Sequence, residues 1–131
     1  MCGIDDLRKI TKELPSLDQI LSNNMSMVEY RVEQGTCYGF PTYRDDRISI
    51  QRMFLSQGTV FPRHSHDESI EFYIVYKGNI EHFIYNTGEK INLVPSSCMK
   101  IAPKVEHSLT ALEDSELVVI KIPPDEKYVA G

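Results

Sequence analysis

The sequence predicts a mainly β protein, a small sandwich or barrel preceded by a short helical arm. Apolar residues recur every three or four positions up to residue 22, and at every second position from about residue 25. The later segments are short, rich in β-branched and aromatic residues, and separated by turn residues with no helical pattern between them. A chain of 131 residues can form one domain with a sizeable core. We therefore expect a helical arm over residues 1–25 and one barrel over residues 26–131.

The amino-acid composition limits the kinds of binding partner and the cellular compartment expected for this protein. The formal net charge of −5 argues against nucleic acid or an anionic membrane surface as the main partner. No apolar run approaches the roughly 20 residues of a membrane-spanning helix, and residues 1–10 lack the apolar block of a signal peptide. Cys2, Cys37 and Cys98 form no Cys-x-x-Cys pair, so we expect reduced thiols. We expect a cytoplasmic protein.

The helical pattern covers residues 4–22. Its apolar stripe consists of Ile4, Leu7, Ile10 and Leu14. Pro15 interrupts the pattern, and residues 16–19 resemble a capping box that opens a second short helix. Such a stripe either packs on its own domain or docks against a second chain, and the sequence leaves both alternatives open.

Alternating segments from residue 25 onward predict a series of short strands. We expect strands over residues 28–32, 47–55, 70–76, 79–85, 89–94, 98–102, 106–111 and 116–122. Residues 41–46 are polar and predict a surface loop, and Pro123-Pro124 predicts the end of the last strand. Within residues 47–55 each face carries a polar residue that can line a cavity, Arg52 on one face and Gln51 on the other. The sequence does not say which face points inward.

The stretch from Gly58 to Gly78 carries the chemistry. His64 and His66 are two positions apart, so their side chains point the same way only on an extended backbone. A turn over residues 67–69 can bring Glu71, on the next strand, back to face the histidine pair. Two imidazoles and a carboxylate form a ligand set suited to a borderline divalent metal.

The same stretch resembles the first conserved motif of the cupin superfamily. That motif is a glycine, five residues, His-x-His, four residues, a glutamate, six residues and a glycine, and all of its spacings are present between Gly58 and Gly78. Residues 101–107 resemble the second cupin motif and supply His107, although Ser97 and Lys104 replace two glycines that are usual there. The resemblance spans roughly residues 26–122. It implies a double-stranded β-helix, or jelly-roll, barrel.

The resemblance also implies a ligand set and a range of functions. Its metal ligands would be His64, His66, Glu71 and His107, around one divalent transition metal, which the sequence does not identify among Fe, Mn, Ni, Co and Zn. Cupins include metal-dependent enzymes of the dioxygenase, isomerase and lyase types, as well as non-catalytic proteins that bind or sense small molecules. Small cupins commonly pair through outer strands, so a homodimer is expected.

Four further residues lie within or next to the two cupin-like motifs in the sequence. Tyr73 shares its face of the strand with Glu71 and is the candidate catalytic residue, because its phenol can donate a hydrogen bond to an oxygen ligand of the metal; filling the barrel is the alternative. His82 is expected to be a surface or core histidine and not a ligand. Arg63 and Lys104 are neighbours of inward-facing residues and are expected to point to solvent. No general base is evident outside the metal ligands.

Overall fold

The computed structural model of the chain describes residues 3–13, 27–125 and 129–130. They form one helix, α1 (Ile4–Glu13), and the strands β1 (Val28–Tyr30), β2 (Cys37–Arg44), β3 (Ser49–Leu55), β4 (Val60–Ser65), β5 (Ile70–Lys77), β6 (Ile80–Ile84), β7 (Glu89–Leu93), β8 (Cys98–Ile101), β9 (His107–Ala111), β10 (Ser115–Ile122) and β11 (Val129–Ala130). The second short helix predicted over residues 16–21 lies outside the described residues.

The strands form two antiparallel sheets, which confirms the predicted jelly-roll barrel. The larger sheet has the strand order β1-β2-β3-β10-β5-β8, and the smaller one has the order β11-β4-β9-β6-β7. β4 and β5 are consecutive in the chain but belong to different sheets, so Glu71 is not brought back to the histidines by a hairpin. The chain crosses between the sheets at residues 66–69, and Glu71 faces the histidines across the barrel interior.

The larger sheet carries an apolar cluster on each face. Its inner face contributes residues such as Met53, Leu117 and Val75 to the main core between the sheets. Its outer face carries a second cluster that includes Ile48, Phe72 and Ile120, and Ile10 of α1 belongs to that cluster. Because β3 presents apolar residues to both faces, its sequence alternation did not reveal which one pointed inward.

The arm packs on its own domain through α1. Ile10 is 8% exposed and joins the outer cluster of the larger sheet. An ion pair of 2.9 Å between Asp6 Oδ1 and Lys100 Nζ joins the first turn of α1 to β8. Of the two alternatives that the sequence left open, the described part of the arm therefore shows packing on its own domain.

Three expectations about local structure were wrong. The predicted loop at residues 41–46 is strand as far as Arg44, because β2 continues beside β3 after a register shift between Pro41 and Tyr43. The strand before the two prolines ends at Ile122 as predicted, but it is not the last strand, since β11 pairs with β4 after them. Cys98 is disulfide-bonded instead of reduced, whereas Cys37 is a buried free thiol.

The glycines that bracket the histidine motif adopt the left-handed conformation that glycine favours. The φ angles of Gly58 and Gly78 are 84° and 90°. A Cβ atom on Gly78 would overlap the side chain of Ser115 and the carbonyl oxygen of Asp114, whereas a Cβ on Gly58 has nothing within 4 Å. Gly58 is therefore favoured by its backbone conformation alone, whereas Gly78 is favoured by its conformation and by the close packing around it.

We predict that Gly78→Ala destabilises the fold more than the matched control Gly88→Ala. Gly88 has a φ of 75° and open space around its Cα, so alanine there should cost only the left-handed strain, about 1–2 kcal/mol. Gly78→Ala adds steric overlap worth about 1–3 kcal/mol more. Urea denaturation of both variants measures the difference, and equal losses would contradict the packing role of Gly78.

Candidate metal centre

The two sheets bring four polar side chains to one place in the barrel interior. His64 lies on β4 and is the direct cross-strand partner of His107 on β9, so both project from the same face of the smaller sheet. His66 follows the end of β4. Glu71 projects from the inner face of the larger sheet, opposite them. All four are buried: His64 is 3%, His66 6%, Glu71 2% and His107 0% exposed.

Three of the four form a compact group of metal-ligand atoms. One nitrogen from each of His64 and His66 and one oxygen of Glu71 lie within 4.8 Å of one another. His66 Nε2 is 3.1 Å from Glu71 Oε1. The distance between His64 Nδ1 and the carbonyl oxygen of Pro62 is 2.8 Å. If that ring nitrogen donates its proton to the carbonyl, Nε2 of His64 keeps the lone pair that a metal requires.

His107 lies beside this group. Its Nε2 is 3.5 Å from Glu71 Oε1, and its ring centre is 4.3 Å from that of His64. Within the described residues neither His107 Nε2 nor Glu71 Oε1 has a hydrogen-bond partner, although both atoms are buried. Buried polar atoms are rarely left unpaired. A buried imidazole nitrogen with a lone pair and a buried carboxylate oxygen, neither of them hydrogen-bonded, are suited to bind a metal ion. The residues of this cluster therefore fit a metal.

His82 is a fully buried core histidine and contacts His107 directly. Its Nε2 is 2.8 Å from His107 Nδ1. If Nε2 of His107 is to present a lone pair, the proton of that ring must be on Nδ1 and be donated to His82. The alternation of Ile80, His82 and Ile84 along β6 was the available signal, because it places His82 at an inward, otherwise apolar position.

The electrostatics of the cluster follow from burial. Burial lowers the pKa of His64 to about 4 and that of His82 to about 3, and it also lowers the pKa of His66. Burial acts to raise the pKa of Glu71, but the adjacent imidazoles of His107 and His66 outweigh it and leave that pKa at about 2. At neutral pH His64, His66 and His82 are therefore uncharged imidazoles, and Glu71 is an ionised carboxylate.

A cavity of about 300 Å³ opens beside the cluster. It is lined by His64, His66 and Glu71 and by apolar side chains deeper in the barrel, including Met53, Phe61, Leu109 and Val119. This volume is at the lower end for small-molecule sites.

Tyr73 also lines the cavity, on the same face of β5 as Glu71, and is 3% exposed. Burial, followed by the negative charge of Glu71, raises the pKa of Tyr73 well above its usual value, so the phenol is a neutral hydrogen-bond donor at physiological pH.

The face of β3 that carries Ser49 and Gln51 points into the cavity, which decides between the two alternatives that the sequence left open. Two further polar residues were missed at the level of sequence. Lys121 and Asp125 line the cavity as well, and Asp125 Oδ2 is 3.8 Å from His66 Nδ1. Asp125 is thus a carboxylate at the cavity wall, where no general base was expected. It follows the strand pattern, so its sequence carried no periodic signal of its orientation.

The charged neighbours of the histidine motifs point outward, as expected. Arg63 forms an ion pair of 2.8 Å with Glu106 and lies over the ring of Tyr85. Lys104 is exposed, and its backbone amide donates a hydrogen bond of 2.6 Å to the carbonyl oxygen of His66. Its φ of 68° is left-handed, which is the conformation a glycine would favour at this position.

Comparison with solved structures identifies the class of fold. KdgF from Halomonas sp. has a TM-score of 0.66 and 22% identity, over 76% of this chain and 90% of that chain. An RmlC-like cupin from Shewanella frigidimarina has a TM-score of 0.66 and 14% identity, over 80% and 91%. The polyketide cyclase RemF from Streptomyces resistomycificus has a TM-score of 0.62 and 15% identity, over 76% and 72%. The chain therefore has the cupin fold, as its histidine motif predicted.

Comparison of sequences adds no closer relative. No protein-family model matches the chain, and no curated protein matches it. Among the described residues there is no helix of the length and apolar character that crossing a membrane requires.

We predict that the metal-free protein loses stability as the pH falls from about 6.5 to about 4. His64 and His82 accept protons in the unfolded chain near pH 6.5, whereas their pKa values in the folded state are about 4 and about 3. The unfolded state therefore binds more protons in this window, and each histidine lowers the free energy of unfolding by up to about 1.4 kcal/mol per pH unit. Urea denaturation after chelator treatment, at pH 7.5 and at pH 5, measures the loss. His82→Gln should show a smaller loss, and pH-independent stability would contradict the prediction.

Proposed function

We propose that this protein is a metal-dependent enzyme that acts on a small organic substrate. The observation that carries the proposal is the buried group of His64, His66 and Glu71 at the wall of an enclosed cavity. His107 is proposed as the fourth ligand, because its unpaired Nε2 is 3.5 Å from Glu71 Oε1. The similar structure from Streptomyces resistomycificus is that of an enzyme, a polyketide cyclase.

The proposed ligands leave room for chemistry. Three neutral imidazoles and one carboxylate carry a single negative charge, so a bound divalent ion keeps net positive charge. Such an ion, held by these residues, would supply Lewis acidity to a bound substrate. The metal is proposed to be one of Fe, Mn, Ni, Co or Zn, and the reaction is of the dioxygenase, isomerase or lyase type.

The surrounding residues have roles that follow from their positions. The neutral phenol of Tyr73 is proposed to donate a hydrogen bond to the substrate. The carboxylate of Asp125, which lines the same cavity, is placed to accept a proton from a bound molecule. The apolar wall excludes water from the site. A hydrogen-bond donor and a candidate general base on one cavity favour catalysis over the alternative, a non-catalytic protein that binds or senses a small molecule through its metal.

Oxygen uptake and turnover separate the two alternatives. The protein is purified without added metal, analysed for its elements and supplied with a diketone, a catechol or a thiol. Metal-dependent turnover supports the enzyme. Metal-dependent binding of these compounds without turnover would support the sensor. A cytoplasmic location remains a prediction. So does a homodimer, which the partly exposed Val28 and Phe40, on and beside edge strand β1, would support.

We predict that His66→Ala loses its metal while Tyr73→Phe keeps it. His66 is a proposed ligand, and its removal should lower metal content by well over tenfold, more than the loss of a hydrogen-bond partner of a ligand. Tyr73 is equally buried in the same cavity but supplies no ligand in this assignment, so it is the matched control. Elemental analysis of both variants checks the prediction. Equal metal content in the wild type and His66→Ala would mean that the ligand assignment is wrong.

We predict a weaker effect at His82. In His82→Phe the proton on His107 Nδ1 loses its acceptor, and metal affinity should fall by about 10- to 100-fold. His82→Gln retains an acceptor and should fall less. Competition with a chelator measures both affinities, and circular dichroism verifies that the variants are folded. Unchanged affinity in folded His82→Phe would show that the contact between His82 and His107 does not support the metal.

A further inference from the structure

One row of residues crosses the inner face of the larger sheet at the level of Glu71. Cross-strand pairing joins Arg44 to Ser49, Ser49 to Lys121 and Lys121 to Glu71. Directly paired residues project from the same face of a sheet. All four line the cavity. The row therefore places a lysine ammonium group next to a proposed metal ligand, inside the cavity.

Lys121 is held there without a carboxylate partner among the described residues. It is half-buried, and its Nζ donates a hydrogen bond of 3.5 Å to the main-chain carbonyl oxygen of Asp125. A main-chain carbonyl orients the ammonium group but does not neutralise its charge. That charge also reaches the metal cluster. Burial is the largest influence on the pKa of His66 and on that of Glu71, and the positive charge of Lys121 is among the contributions that lower both.

The charges that line the cavity favour an anion once a metal is bound. Arg44 and Lys121 contribute two positive charges, and Glu71 and Asp125 contribute two negative charges, so these four sum to zero. A divalent ion in the proposed site raises the sum to +2. A partly desolvated cavity of this charge attracts an anionic ligand strongly.

The rest of the cavity is suited to an apolar body. The next two rows inward carry Val119 and Met53 on the larger sheet, and Phe61 and Leu109 face them from the smaller sheet. Two polar side chains, those of Tyr30 and Gln51, also lie at this depth. They bond to each other, because the hydroxyl of Tyr30 donates a hydrogen bond of 2.9 Å to Gln51 Oε1. A ligand with one charged end and an apolar remainder would match both parts of the cavity.

We propose that the substrate of this site is a small organic acid whose carboxylate lies between the metal and the ammonium group of Lys121. Its apolar body extends towards Met53, Phe61 and Leu109. This inference rests on the proposed metal-dependent function and adds the class of substrate to it. A carboxylate is favoured over a phosphate, because the cationic side chains Arg44 and Lys121 belong to one row and the mainly apolar remainder of the wall offers few donors for a second negative charge.

The experiment compares each of two acids with its uncharged amide. Metal-loaded protein is titrated calorimetrically with butanoate and butanamide, and with phenylacetate and phenylacetamide, which match in shape. The wild type should bind the acids at least about tenfold more tightly than the amides, because a charge-assisted hydrogen bond contributes to the acids alone. Inorganic phosphate is the comparison anion and should bind more weakly than phenylacetate.

Two substitutions test the role of Lys121. Lys121→Met keeps the length of the side chain but removes its charge, and it should weaken acid binding about tenfold while leaving amide binding unchanged. Lys90→Met removes an exposed lysine on β7 and should match the wild type, which controls for net charge. Lys121→Arg keeps a positive charge and should retain the preference for acids.

The outcomes separate the two proposals. Wild-type protein that holds metal but binds acids and amides equally, or prefers phosphate, would overturn the acid assignment and leave the metal-dependent function intact. So would unchanged acid binding in folded Lys121→Met. Wild-type protein that holds no divalent metal under elemental analysis would instead overturn the proposed function, and the acid site together with it.

Discussion

An ionised carboxylate buried inside the barrel is the constraint on which the site depends. Glu71 is 2% exposed, and its pKa of about 2 keeps it charged at neutral pH. Burying a charge is costly unless that charge is paired. The neighbouring imidazoles of His64 and His66 have lowered pKa values because they are buried too, so at neutral pH they offer lone pairs instead of positive charge. A bound metal cation would satisfy both kinds of group.

The β-architecture explains why these groups meet. Strand alternation gives Glu71 and Tyr73 a common face, and cross-strand pairing gives His64 and His107 another. The packing of the two sheets then sets one face against the other. The outer face of the larger sheet carries its own apolar cluster, to which Ile10 of α1 belongs. The proposed ligands consequently project from a scaffold that is packed both inside the barrel and on its outer side.

The sequence predicted the elements whose signal is local. The period of two residues predicted most strands, and the spacing of the histidine motif predicted the fold and placed Glu71 opposite His64 and His66. Two kinds of feature could not be predicted from the sequence pattern. β2 runs through residues expected to form a loop, because pairing with β3 overrides the local preference of a polar segment. The inward face of β3 was ambiguous, because both of its faces carry apolar residues and alternation alone does not distinguish them.

The residues that give the cavity its individual character were also the hardest to predict. Lys121 is placed by its register against Glu71, and His82 by its contact with His107; both are relations between strands distant in sequence. Within a single strand, Lys121 resembles a solvated lysine and His82 an isolated histidine. The same ligand motif is therefore compatible with different chemistry, because cross-strand neighbours would decide what a bound metal can accept. In this chain those neighbours place an oriented ammonium group in the row of Glu71 and an apolar wall beyond it. That arrangement is the basis of the proposal that small ligands are selected by charge.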